Sequence, residues 1–218
     1  MLNSLSIGKK AVLLVIFVLV IDQIVKIWIK THMCYYENHN VFGHWFRIYF
    51  IENNGMAFGM EFGGKPGKSL LSIFRILAVF GIIWYIRYLI QHRAHGGLIL
   101  SISLILAGAV GNIIDSMFYG LIFNESTPGT VAVLFPEGGG YAHFLHGKVV
   151  DMLYFPLFNG HYPRWFPFVG GQDFQFFRPV FNLADSSITI GVCIILIFQK
   201  RFFGTRQMEQ ISGQEPTT

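Results

Sequence analysis

Charge is scarce in this chain. Asp, Glu, Lys and Arg make up 13% of its 218 residues, where about a quarter is usual for a soluble globular domain. That scarcity argues against a protein whose whole surface faces water. Cysteine is scarcer still. Cys34 and Cys193 lie in unrelated contexts and no CxxC occurs, so neither a disulfide framework nor a cysteine-built metal site is expected. The eight histidines show no metal-ligand spacing, and neither HExxH nor GxSxG is present. Zinc-dependent and serine-nucleophile hydrolases have no foothold, and no metal or organic cofactor is expected. The net charge of +4 is modest, and the basic residues form no stripe interleaved with aromatics, which argues against nucleic acid as a partner.

What the chain has in quantity is apolar sequence, 53% of its residues, gathered into four long runs: Ala11–Ile29, Leu70–Ile90, Leu98–Ile114 and Val180–Phe198. Each is close to the roughly 20 residues a helix needs to cross about 30 Å of hydrocarbon. The expected fold is an all-α membrane protein with four transmembrane helices, at about 11–29, 70–90, 98–115 and 180–199. One domain, 1–203, then holds the helices and two outer loops at about 30–69 and 116–179, and 204–218 reads as a disordered cytoplasmic tail. Lys9 and Lys10 ahead of the first run would also suit a cleavable signal peptide. No small-residue cleavage site follows, however, and the apolar pattern resumes after Asp22.

Orientation follows from the density of basic residues. Lys9 and Lys10 precede the first run, Arg87 and Arg93 flank the short turn between the second and third, and Lys200, Arg201 and Arg206 follow the fourth. Short segments dense in Lys and Arg favour the cytoplasmic side, so both termini are expected inside and both long loops outside. Asp22 then lies in the outer half of the first helix, Asp115 arrives at the outer surface on the third, and Asp185 starts just below it on the fourth. Ionisable residues in spans are costly and face a bundle interior or a wet cavity. Three carboxylates at one depth predict a site at the outer edge of the membrane.

In the outer loops, "HWFRIYFI" (44–51) and "KVVDMLYF" (148–155) read as short strands. "EFGGKPGK" (61–68) and "PEGGGYAHFLHG" (136–147) are breaker-rich and read as turns or mobile loop. "NGHYPRWFPFVGGQDFQFF" (159–177) mixes aromatics with Gly and Pro, a composition suited to a segment lying at headgroup level. A small outer β element with an interfacial segment is therefore expected.

Several polar groupings need a reason to exist in so apolar a chain. Asp22 and Lys26 in "DQIVK" are four apart on one helix face, which predicts an ion pair, with Lys26 reaching outward. Asn53, Asn54 and Gly55 in "IENNGMAFG" read most simply as a tight turn; the functional alternative has Asn53 offering its amide to a substrate backbone or headgroup. Gly108 and Gly111 in "AGAVGNIID" suit close helix packing, which leaves Asn112 and Asp115 beside them unexplained. Asn182 and Asp185 repeat the same Asn-x-x-Asp grouping, and Asp151 sits in the apolar setting "KVVDMLYF". Two carboxylates brought together in a partly dry pocket share one proton, so one serves as base and the other as acid. A proton-coupled transporter is the rival reading, because intramembrane carboxylates also mark proton relays. Four helices without inverted repeats are few for alternating access.

Taken in order, "DQIVK", "ENNGMAFG", "GAVGNIID", "GKVVD" and "FNLADSSITIG" resemble the lipoprotein signal peptidase (signal peptidase II) family, bacterial membrane aspartyl peptidases. The resemblance runs from about residue 11 to residue 200 and is specific because five segments occur in the family's order. It implies a catalytic pair at Asp151 and Asp185, supporting polar residues at Asn53, Gly55, Asn112, Asp115 and Asn182, and a structural pair in Asp22 and Lys26. It implies a multi-pass protein of the bacterial inner membrane, with its active site at the periplasmic face, a small β element and a half-helix on that face. The implied substrate is a diacylglyceryl-modified prolipoprotein, cleaved just before its lipidated cysteine. Membrane lipids are the other expected partner, and a monomer is expected.

The chain departs from the family pattern at three places. Ser116 follows Asp115 where the family usually has Arg, so Asp115 needs another charge partner, for which Lys148 and Arg178 are the candidates. Met152 stands where Phe is usual after Asp151, and the loops 120–147 and 156–179 are longer than typical.

Overall fold

The computed structural model of the protein describes residues 5–55, 64–176 and 178–204. In chain order its elements are helix α1 (Ile7–His32), strands β1 (Asn38–Phe42) and β2 (Phe46–Asn53), helices α2 (Gly64–Gln91) and α3 (Gly96–Ile114), a π-helical turn (Asp115–Tyr119), and a last helical turn α4 (Gly120–Ile122). Strands β3 (Val149–Tyr154), β4 (Phe158–His161), β5 (Asp173–Phe176) and β6 (Val180–Phe181) follow, and then helix α5 (Leu183–Ile197). Three helices, Ile7–His32, Gly67–Gln91 and Gly96–Ile122, are long and apolar enough to cross a membrane.

The fourth expected span is shorter than the sequence suggests. Helix α5 has 15 residues, about 22 Å at 1.5 Å per residue. Val180 and Phe181, apolar enough to extend the run, pair instead with Tyr154 and Leu153 of β3. At the other end Phe198 N donates to Ile194 O and Phe202 N to Phe198 O, both at 3.0 Å, so helical bonding continues past Ile197. A second boundary also moves. Gly64–Lys68, read as breaker-rich turn, forms the opening of α2. Pro66 is tolerated there because the first turn of a helix needs no N–H donor from it. Residues 56–63, the rest of the two turn-like segments, and the tail beyond Gly204 lie outside the described residues.

The chain divides into two compact units, one holding the residues up to Ile21, Ile73–Gly111 and those from Ala184, the other Asp22–Ser72 and Asn112–Leu183. In the first, Ala11, Ile86, Leu89, Leu98, Ile99, Ile102 and Leu106 form the buried core. Close helix approach depends on small residues. A Cβ at Gly108 would lie 2.1 Å from the Ala184 carbonyl oxygen, and one at Gly191 would lie 2.6 Å from that of Ser101. Phe17, Phe74, Leu77 and Trp84 point outward, which is the surface that a lipid-embedded helix presents.

The second unit is built on a four-stranded antiparallel sheet of order β1-β2-β3-β6. Strands β2 and β3 are close to the expected ones. Strand β1 was not legible, because "NHNVF" has no apolar alternation and all five residues are exposed. A turn at Gly43, φ +50°, returns the chain into β2. Strand alternation sends Phe50, Val150 and Met152 into a buried cluster with Ile29, Met33, Tyr119, Phe123 and Ala132, so Met152 fills apolar space where the family has Phe. Residues 158–176 contain a second, two-stranded sheet, with His161 opposite Asp173 and Phe158 opposite Phe176. The segment expected to lie at headgroup level is thus a hairpin. No half-helix appears among the described residues of 33–55 and 123–182.

Candidate functional site

The site begins with sheet register. Asn53 stands opposite Val149, and Asp151 opposite Ile51. Residues two apart on a strand share a face, so Asn53 and Asp151 are diagonal neighbours across β2 and β3. Asn53 Nδ2 donates to Asp151 Oδ2. Asn53 Oδ1 in turn accepts the Gly55 N–H at 2.5 Å, in a turn that needs Gly55 at φ +87°. The turn expected at "ENNG" is present, and the Asn53 amide that the functional alternative offered to a substrate is engaged by Asp151.

The other oxygen of Asp151 is held from the far edge of the sheet. Asn182, buried between β6 and α5, donates from Nδ2 to Asp151 Oδ1 at 2.7 Å and to Asn112 Oδ1 at 3.0 Å. Asp151 is buried and takes an amide donor on each oxygen, a clamp that fixes its plane. Charge-assisted bonds of this kind are about twice as strong as neutral ones.

Asn112 leads to a buried cation. Lys26 Nζ donates to Asn112 Oδ1 at 3.0 Å and pairs with Asp22 Oδ2 at 2.9 Å and Asp115 Oδ2 at 2.8 Å. These three acceptors match the three N–H donors of an ammonium group. Gln23 adds a bridge, donating to Asp22 at 3.2 Å and Asp115 at 2.9 Å, while Tyr119 OH donates to Gln23 Oε1 at 3.1 Å. The Val150 N–H reaches Asp115 Oδ2 at 3.3 Å, tying the end of α3 to the strand that carries Asp151.

Two sequence expectations are corrected here. Lys26 does not reach outward; it is fully buried among its partners. Neither Lys148 nor Arg178 balances Asp115: Lys148 pairs with Glu125 at 3.1 Å, and Arg178 is exposed. Lys26 serves Asp115 as well as Asp22. Ser116, at the position where the family has Arg, is buried and donates from Oγ to the Asn112 carbonyl at 3.1 Å.

Asn53, Gly55, Asn112, Asp115, Asp151, Asn182, Asp22 and Lys26 thus form one hydrogen-bonded chain within the second unit. Asp185 belongs to the first unit, in the first turn of α5 and three residues after Asn182. There its charge acts on the guanidinium of Arg75. Among the described residues no cluster of His, Cys, Asp and Glu could hold a metal ion.

A family model described as signal peptidase (SPase) II matches residues 14–201. The chain belongs to the signal peptidase II family. Among its relatives, the lipoprotein signal peptidase of Porphyromonas gingivalis is 50% identical over 201 residues, covering 92% of this chain and 87% of that one. The lipoprotein signal peptidase of Amoebophilus asiaticus is 40% identical over 181 residues, covering 82% of this chain and 72% of that one. A bacterial membrane enzyme structure obtained by the in meso method at 1.9 Å resolution superposes with a TM-score of 0.56 at 28% identity, covering 87% of this chain and 91% of that one. A second, at 2.3 Å, gives a TM-score of 0.55 at 24% identity over 96% of this chain and 94% of that one, and shares the fold. With three helices able to cross a membrane, this signal peptidase II chain is a multi-pass membrane protein, and its family activity is the cleavage of lipoprotein signal peptides.

Sequence reasoning missed a second buried network behind the first. Lys30 pairs with Glu52 and donates to Ser126 Oγ at 2.7 Å, and Ser126 Oγ donates to Glu52 at 3.1 Å. Its ammonium lies 5.2 Å from the ring centres of both Phe123 and Tyr141. Burial pushes the Tyr141 phenol up, so it stays protonated while its oxygen accepts the Lys148 N–H at 2.6 Å. The sequence did carry a signal: Asp22, Lys26 and Lys30 recur every four residues, a polar stripe down one face of α1. Glu52, next to Asn53, is fixed from behind by this stripe.

The clamp makes a prediction. Asn182→Ala removes one donor from Asp151 and leaves Asn112 to Lys26. A hydrogen bond to a charged group is worth about 1.5–3 kcal/mol, so cleavage (kcat/KM) is expected to fall roughly 10- to 100-fold. Steady-state kinetics measure this. Unchanged kinetics would show that the clamp does not orient Asp151.

Proposed function

We propose that the chain is a membrane aspartyl endopeptidase that removes the signal peptide from diacylglyceryl-modified prolipoproteins, cutting just before the lipidated cysteine. Asp151 and Asp185 are its catalytic carboxyls. The observation that carries this reading is the amide clamp on Asp151. One donor of that clamp, Asn182, is the single residue between β6 and α5, the helix that carries Asp185 in its first turn. A buried carboxylate held by a donor on each oxygen is more than a packing residue, and the family's catalytic positions fall on it and on Asp185.

In the proposed reaction the two carboxyls share one proton and hold a water between them. The ionised carboxylate takes a proton from the water as its oxygen bonds to the scissile carbonyl carbon, and the protonated partner donates to the carbonyl oxygen. The tetrahedral adduct then collapses and the C–N bond breaks. The new carboxyl stays on the signal peptide, and the leaving nitrogen, protonated by an aspartate, becomes the amine of the lipidated cysteine. The pair titrates as a unit. No metal or organic cofactor enters the scheme.

The proposed placement has four spans, α5 being the fourth, with both termini in the cytoplasm of a bacterial cell. The sheet and the polar chain then lie at the periplasmic face of the inner membrane, within one catalytic domain, 1–203, that acts as a monomer. Acyl chains anchor the substrate, each CH₂ that leaves water contributing about 0.8 kcal/mol, and the lipid holds the scissile bond at headgroup depth.

The test uses purified protein in detergent with a diacylglyceryl-modified prolipoprotein. The expected product is a mature lipoprotein lighter by its signal peptide, with the unmodified precursor left uncut. Absence of any cleavage, together with ion flux across liposomes, would replace this reading with that of a transporter.

A further inference from the structure

The β4–β5 hairpin is not absorbed by the catalytic reading. It leaves the main sheet after β3 and returns at β6, and its turn is closed by its own backbone. Tyr162 N donates to Gln172 O, Gly171 N to Tyr162 O and Phe166 N to Pro163 O, all at 2.9 Å. Inside the turn the Tyr162 ring packs on Phe166, centres 5.7 Å apart, and on Phe174 at 4.9 Å. Those rings order the loop. Two others project from it: Trp165, 80% exposed with its ring centre 5.8 Å from that of Phe166, and Phe168, 100% exposed. Phe168 also sits in left-handed backbone at φ +68°, an outlier for a bulky side chain, and no packing among the described residues compensates for it.

We propose that this tip is a lipid anchor, with Trp165 and Phe168 seated in the headgroup layer of the leaflet on which the main sheet lies. This rests on membrane insertion of the chain and not on the catalytic assignment. Connectivity supplies the first argument. Only three residues separate β3 from β4 and three separate β5 from β6, so the hairpin stays beside the main sheet, which the proposed placement sets at the membrane face. Chemistry supplies the second. Exposed Arg164 adjoins Trp165, and Arg178, also exposed, lies at the base. Asp173, the hairpin's one acidic residue, is paired with His161. Aromatic side chains beside exposed basic ones suit the membrane–water boundary, where Trp prefers to sit and Lys and Arg meet anionic headgroups. A protein partner is less well matched, because two projecting rings fall far short of the roughly 800 Å² that each side of a stable interface buries.

The test places the full chain in vesicles carrying a doxyl quencher either near the headgroups or deep in the acyl region. Wild-type fluorescence minus that of Trp165→Phe isolates the Trp165 signal. The expected result is a blue-shifted signal, quenched at least twofold more by the shallow label than by the deep one and shielded from aqueous iodide. The double variant Trp165→Phe/Phe168→Trp moves the reporter three residues along the tip and should give the same pattern. Free access to iodide would overturn the proposal. So would shielding from iodide without lipid quenching, which would mean that the tip packs against protein. Neither readout depends on whether the chain cleaves anything.

Discussion

Asp151→Asn and Asp185→Asn are each expected to abolish cleavage of the lipidated precursor while leaving the protein folded. Asn keeps the shape of Asp but can neither take a proton from water nor return one to the leaving nitrogen. General acid–base work of this kind is worth about 10²–10⁴-fold, and each variant loses it at one half of a pair, so kcat should fall on the order of 10³-fold with KM little changed. The folding costs differ between the two positions. At Asp151 both oxygens accept amide N–H groups, so an NH₂ there faces another donor and costs roughly 1–3 kcal/mol. At Asp185 the carboxylate lies in the first turn of α5, where the helix dipole contribution is about 0.3–1 kcal/mol. Precursor mass shift and thermal unfolding in the same detergent separate the two effects. Cleavage by either variant at the wild-type rate would remove that residue from the catalytic pair.

Lys26→Met is expected to be the most destabilising single substitution in the second unit. It removes the only cation seen to pair with Asp22 and Asp115 among the described residues, and both carboxylates stay buried. Breaking a buried ion pair from one side costs about 3–5 kcal/mol, because the remaining charge has no solvent. For a chain of this length that is a fall in Tm on the order of 10 °C. The triple variant Lys26→Met/Asp22→Asn/Asp115→Asn has no stranded charge and should recover most of the loss. If the single variant melted with wild type, the cluster would have to draw water, and the dry site described above would be wrong.

The sequence carried the helices and the members of the buried polar chain, for different reasons. Apolar runs of span length leave little choice of structure, so α1, α2 and α3 occur where expected, although α2 begins six residues ahead of its apolar run. The start of α5 was not, because Val180 and Phe181 satisfy a strand as well as a helix and only pairing with β3 decides between them. The partner of Asp115 was sought near it, at Lys148 and Arg178. Lys26 was credited to Asp22 alone, since a spacing of four says nothing about a contact made 89 positions away. The Asn residues stood out in the sequence but their connections did not, because amide-to-amide relays across three elements leave no periodic trace. The Lys30–Glu52–Ser126 network joins α1, β2 and one of the unusually long loops, and only the lysine half of it had any pattern to show.

The π-helical turn at Asp115–Tyr119 sets a rule for how this region can vary. A wide turn accommodates about one more residue than an α-turn does, so the chain carries that residue without turning Tyr119 and Phe123 away from the cluster that backs the sheet. Met117 is half-buried and Phe118 exposed on it. Removal of either should let the turn close to α while Tyr119 and Phe123 keep their places, whereas one residue more, with no slack left to absorb it, would rotate everything beyond by about 100°. These five positions tolerate shortening better than lengthening.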